Sequence, residues 1–113
     1  MIITIPGKVK AKERPRKGRY GQFYTPPATR DFEDKVAKSA LQSGLRRFDK
    51  TDTLNIGIDF YGKYGSSDID NLIKSVLDGF KCYFNDNKVM EITARKIPSE
   101  EYSTEVRIEK IIF

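Results

Sequence analysis

Asp68, Asp70 and Asp86, with Lys74 between them, are the side chains of this sequence best suited to chemistry. In the run Asp68-Ile69-Asp70-Asn71-Leu72-Ile73-Lys74, Asp68 stands at the entry of an expected helix. Asp70 falls in its first turn, where the helix dipole favours negative charge. Lys74 follows Asp70 by one turn and shares its face. Asp86 lies in the turn after that helix, Asn85-Asp86-Asn87, which would have to fold back toward the same face. Three converging carboxylates would bind Mg²⁺, or Mn²⁺ in its place, because these ions want oxygen ligands. Such an ion polarises a phosphate oxygen and acidifies a bound water. A nearby lysine offsets the charge that develops on the phosphate. Each residue also has a plain structural explanation. Asp68 is a good N-cap, Asp70 a favoured first-turn acid, Lys74 a partner for Asp70 or Asp78, and Asp86 an ordinary turn residue. As a set, in a chain with a strongly basic segment, the metal site explains them better.

Composition narrows the chemistry further. There is no histidine, which removes Ser-His-Asp and Cys-His catalysis and the usual zinc sites. The single cysteine, Cys82, permits no intrachain disulfide and fits a reducing cytoplasm. It follows an amphipathic stretch and is expected to fill the core. The formal charge is +5, but residues 8–30 alone carry +7, and the remainder is mildly acidic. The basic side chains there are Lys8, Lys10, Lys12, Arg14, Arg16, Lys17, Arg19 and Arg30, interleaved with Tyr20, Phe23 and Tyr24. Guanidinium groups clasp phosphates bidentately, and aromatic rings stack on unpaired bases, so the expected partner is a nucleic acid. Lys10, Lys12, Arg14, Arg16, Lys17, Arg19, Tyr24 and Arg30 are the candidate contacts. Asn71 and Asp78 are expected to support the ligands, and Glu91 at best to do the same. Asp59 should point outward from its strand into solvent.

These side chains need a scaffold, and the hydrophobic pattern supplies one. A length of 113 residues suits one domain, residues 1–113, with a real core but no deep private cleft. Small domains that handle large substrates often work as twofold dimers. No apolar run is long enough to span a bilayer, and the N-terminus lacks the pattern of a signal peptide. Residues 1–6 read as a strand halted by Pro6-Gly7, and residues 7–28 as a long loop or loose hairpin. Thr29 should cap a helix over 30–43, with Asp31 and Glu33 in its first turn and Gly44 as its stop. Leu54, Ile56, Ile58 and Phe60 alternate along a strand over 53–61. Leu72, Ile73, Val76, Leu77 and Phe80 fall on one arc of a helix over 69–81. Two strands, over 89–97 and 102–113, close the chain. The last should bury Tyr102, Val106, Ile108 and Ile112. The order β-α-β-α-β-β predicts an α/β fold with a mixed sheet and two main helices.

Several of these pieces occur together in a known family. Arg14-Pro15-Arg16, Tyr24-Thr25-Pro26 with Thr29-Arg30 and Phe32-Glu33, Asp68-Ile69-Asp70-Asn71 with Lys74, Val76-Leu77-Asp78-Gly79, and Asp86 three residues before Val89 stand in order. This set resembles the RusA-type Holliday junction resolvases of bacteria and their phages, over nearly the whole chain. The resemblance implies a homodimer that binds four-way DNA junctions and makes paired, symmetric nicks with Mg²⁺ or Mn²⁺. It implies that Asp68, Asp70 and Asp86 are the catalytic, metal-binding acids and Lys74 the catalytic lysine. One departure is visible, because the family often has two adjacent acids where this chain has Asn85-Asp86. The first or last strand is the expected dimer surface. Two other readings use the same residues differently: a branched-DNA or RNA binding module without catalysis, and a metal nuclease acting on other nucleic-acid structures.

Overall fold

Alternating apolar residues build the sheet on which everything else rests. The structure, a computed structural model, describes residues 1–10, 16–17, 21, 23–24 and 27–112. Its elements are β1 (Ile2–Pro6), β2 (Arg16–Lys17), β3 (Phe23–Tyr24), α1 (Pro27–Gln42), β4 (Thr53–Tyr61), α2 (Ile69–Gly79), β5 (Val89–Ile97) and β6 (Ser103–Ile111). A single 3₁₀ turn, Asp86–Lys88, precedes β5. Four strands form one mixed sheet in the order β1-β6-β4-β5. β6 runs antiparallel to both β1 and β4, whereas β5 runs parallel to β4. The expected α/β class and element order hold. β2 and β3 pair as a two-residue antiparallel ladder, the loose hairpin expected in the basic segment.

The core lies between the sheet and the two helices. Leu54, Ile56, Ile58 and Phe60 are fully buried, as the alternation along β4 requires, and Ile3, Ile5, Val106 and Ile108 extend that layer across β1 and β6. Phe32, Val36 and Ala40 of α1, Leu72 and Val76 of α2, and Phe80 just after α2 close it from above. The helices cross closely at Gly79, where an added Cβ would lie 2.4 Å from the Val36 side chain. The Leu77-Asp78-Gly79 motif therefore has a packing reason. At the end of α1, Gly44 takes φ +80°; its N–H donates to the Leu41 carbonyl and that of Leu45 to the Ala40 carbonyl. This paired closure is the Schellman motif, and it needs a residue that tolerates the left-handed region.

Five expectations change. α1 begins at Pro27, so Thr29 lies inside it, 1% exposed, and caps nothing; Asp31 and Glu33 fall beyond its first turn. Proline at the first helical position, with its preset φ and no N–H to satisfy, starts the helix earlier than a threonine cap would. α2 stops at Gly79, with Phe80 as its C-cap. The last strand ends at Ile111, leaving Ile112 94% exposed, while Thr104 takes the inward position beside Val106 and Ile108; Tyr102 is half-buried. Cys82 is exposed rather than in the core, because the chain has left the helix before reaching it.

Asp59 is the fifth. It does alternate to the face of the sheet away from the helices, yet it is 3% exposed. Arg95 from β5 clasps it at 3.0 and 3.2 Å, and Arg107 from β6 donates to it at 2.8 Å. The alternation along β4 carried no sign of two arginines arriving from neighbouring strands. Arg107 also lies across Gly57, where a Cβ would meet its guanidinium at 2.7 Å. The hydrogen bond from Arg95 leads the effects that hold the Asp59 carboxyl below the usual carboxylate range, against the burial that would raise it. A lowered pKa means stability that is present above the unfolded value of about 4 and lost as pH falls through the folded one. Asp59→Asn should therefore cost about 1–2 kcal/mol at pH 7, with Arg95 being largely exposed. Chemical denaturation of both proteins at pH 7 and pH 3 should show that gap narrowing in acid.

Candidate active site

α2 and the segments that enter and leave it carry all four chemistry-bearing residues. Asp68 is the N-cap of α2 and Asp70 sits in its first turn. Both are exposed. Asp68 accepts no side-chain cap hydrogen bond, although its backbone carbonyl receives the Leu72 N–H at 3.2 Å. A capping aspartate normally spends its carboxylate on the N–H groups of the first turn. Here that carboxylate is left for something else. Lys74 is exposed and makes no ion pair among the described residues, so pairing with Asp70 or Asp78 does not account for it. Asn71 is half-buried one position after Asp70.

The loop before Asp68 is tied down from three sides. Lys96 Nζ of β5 donates to the Gly65 and Ser67 carbonyls, both at 2.9 Å. Tyr64 is buried, and its hydroxyl accepts the Val9 N–H at 2.9 Å. Burial pushes the Tyr64 phenol up, so it stays a neutral hydroxyl. The Tyr64 and Tyr102 rings meet edge-on at 5.3 Å, and Lys8 Nζ lies 5.5 Å above Tyr102. The root of the basic segment is therefore fastened to the loop that delivers Asp68 and Asp70. Tyr64 and Lys96 did not stand out in the sequence, because their roles come from contacts between elements far apart in the chain.

Asp86 lies elsewhere. β5 begins beside the start of β4, with Val89 opposite Leu54, and Lys96 opposite Phe60. Asp86, three residues before Val89, thus sits at the end of the sheet where β4 begins. Asp68 sits at the end where β4 finishes, near Lys96. The 11 residues of α2 separate them by ~16 Å along the helix axis. Among the described residues of one subunit, no three carboxylates or other ligating groups gather closely enough to hold a metal. Asp68 and Asp70 stand two residues apart at the start of α2, and Asp86 does not join them. Asp86 is exposed, as is Asn85 beside it.

The other candidates are scattered. Lys10 is exposed just after the Tyr64 tether, and Arg30 is exposed on α1. Arg30 and Asp78 line one shallow cleft together with Glu33. The backbones of Arg16, Lys17 and Tyr24 form the short hairpin, while Lys12, Arg14 and Arg19 lie outside the described residues. Glu91 is exposed on edge strand β5.

A family model described as Endodeoxyribonuclease RusA matches residues 6–109. The chain belongs to the RusA endodeoxyribonuclease family. No individually curated protein matches it. The match runs from the end of β1 into β6 and so includes both ends of α2 and the whole basic segment. For a RusA-family endodeoxyribonuclease the donor set suits Mg²⁺: hard carboxylate oxygens, no imidazole or thiolate among them, and two neighbours at a helix start. Magnesium often binds through one or two carboxylates, with substrate phosphates and water completing its shell. The uncapped Asp68 carboxylate fits that use. Replacing Lys96 by methionine should loosen the loop that aims Asp68 and Asp70. Single-turnover cleavage should slow about tenfold while DNA affinity stays within about twofold; equal losses in both would mean that Lys96 acts by binding DNA.

Proposed function

We propose that this RusA-family endodeoxyribonuclease resolves four-way DNA junctions as a homodimer, by Mg²⁺-dependent hydrolysis, with Mn²⁺ able to substitute. The observation that carries the reading is an Asp68 carboxylate that caps nothing, beside Asp70 and a Lys74 with no ion pair among the described residues, in a chain that matches the family from residue 6 to residue 109. Bound there, Mg²⁺ would supply an acidified water and a polarised phosphate oxygen. Asp68 and Asp70 would hold the ion, and the ammonium of Lys74 would face the charge growing on the phosphate. The basic segment, rooted at Val9 next to this end of the fold, would grip phosphates and bring the strand to the acids.

The position of Asp86 makes the dimer part of the chemistry. One subunit offers two acids at one end of α2 and the third at the other. A twofold axis beside α2 would set two such helices in opposite senses and bring Asp86 of the partner subunit toward Asp68 and Asp70. β5 is the edge suited to that axis. Nine residues long, it pairs only with β4 among the described residues and leaves Met90 57% and Ile92 39% exposed. Long unprotected edges of this kind ordinarily need a partner. The last strand cannot serve as such an edge, because β6 is paired on both sides. Two identical sites related by one axis would cut two symmetry-related strands, which is what a junction presents.

The test is cleavage of a labelled four-way junction against matched linear duplex, flap and single-stranded DNA, with Mg²⁺, Mn²⁺ or EDTA. Paired nicks on the junction, absent in EDTA and in Asp70→Asn, are expected, from a species of twice the 13.0 kDa chain mass by light scattering. Cutting of flaps or single strands in preference to junctions would replace the resolvase reading with a broader nuclease. Junction binding without cutting in any metal would leave a binding module.

A further inference from the structure

The segments that leave the two helices meet in a second basic site that lies outside the N-terminal segment. Residues 45–50 after α1 and residues 80–88 after α2 run side by side, joined where the Phe48 N–H donates to the Tyr83 carbonyl at 2.9 Å. Phe48 meets Phe84 edge-on at 6.0 Å, and Phe84 stacks on the fully buried Phe80 at 5.6 Å. The aromatic wall is therefore anchored in the core. Between the segments opens a cleft of about 440 Å³ whose lining includes Arg47, Lys50, Lys81 and Lys88 against a single acid, Asp49. Lys81 leans toward Glu33 at 3.7 Å. Arg47, Lys50 and Lys88 have no ion pair among the described residues.

Like charges held around one concavity repel, and an apolar wall strengthens their field rather than screening it. Such an arrangement suits an anion with several charges that follows a groove. The cleft also includes Asn85, the residue before Asp86. We propose that this cleft is a second DNA grip, taking the sugar-phosphate backbone of the strand that passes Asp86. The proposal rests on the endonuclease reading. It adds a contact at the end of the fold opposite the root of the basic segment, so that each subunit holds DNA at both ends of α2. Arg47 and Lys50 were open to notice in the run Arg46-Arg47-Phe48-Asp49-Lys50, but the sequence did not show that Lys81 and Lys88 would face them.

The experiment measures four-way junction affinity in EDTA across a salt series. The parent is Asp70→Asn, and the variant adds Arg47→Ala, Lys50→Ala and Lys88→Ala. Each lost phosphate contact should lower the slope of log affinity against log salt by ~0.9; with three cations removed from each subunit of the dimer, a drop of about five is expected, with affinity at low salt falling at least about tenfold. Lys50→Glu alone, an exchange at an exposed position that should spare folding, is expected to weaken binding several-fold by itself. Neutralising Lys38 and Lys63, exposed lysines away from the cleft, should change the affinity less. If the parent binds the junction and the triple variant and Lys50→Glu bind with the same affinity and slope, the cleft is not a DNA site. If the parent binds no DNA at all, the endonuclease reading falls and the cleft falls with it.

Discussion

The parallel pairing of β4 with β5 decides where chemistry can happen in this molecule. Two parallel neighbours must be joined by a crossover that returns the chain to the starting end of the sheet, and α2 is that crossover. Whatever precedes α2 stands at one end of the sheet and whatever follows it stands at the other. The eight register positions between β4 and β5, from Leu54–Val89 to Tyr61–Ile97, fix this separation firmly. The core adds to the constraint, because Val76 and Phe80 are fully buried and Gly79 sits against Val36. A slide of α2 that brought its two ends closer would have to break that packing.

The polar residues follow from this frame. The loop before α2 is held by Lys96 and by the Tyr64–Val9 hydrogen bond, so the free Asp68 carboxylate stands on a fixed support. On the other side of the sheet, Asp59 binds β5 and β6 to β4 through two arginines. That cluster is structural: it braces the strand from which Lys96 reaches the loop. With Glu105 3.4 Å from Arg107, two acids answer two arginines in this cluster. The cations around the cleft near Asp86 are the opposite case, with three of the four making no ion pair among the described residues.

Much of this was legible in the sequence. The two-residue period of 53–61 and the single apolar arc of 69–81 gave two elements their places, since burial of one face is what those patterns encode. Asp68, Asp70 and Lys74 were visible for the same reason, as a cluster at a helix start. What the pattern could not carry was anything decided between distant segments. Asp59 looked solvated because Arg95 and Arg107 arrive from strands 36 and 48 positions away. Cys82 looked like core filler because the end of α2 came earlier than the periodicity suggested. Above all, Asp86 was expected to fold back toward Asp70. Whether a turn folds back depends on the direction of the next strand, and parallel pairing is not written in the strand's own residues.

The central claim is that a complete acidic site needs two subunits, and mixing two inactive variants tests it most directly. Asp70→Asn and Asp86→Asn are each expected to be inactive alone, because every site in either homodimer lacks one acid. If the sites are shared, a dimer with one subunit of each kind has one intact site. Mixed subunits should then recover about a quarter of the wild-type nicking on junctions, all of it single nicks. A parallel mixture of Asp68→Asn with Asp70→Asn should stay inactive, since both changes fall on the same end of α2. If the Asp70→Asn and Asp86→Asn mixture forms dimers and remains as inactive as its parts, the three acids act within one subunit and the account is wrong.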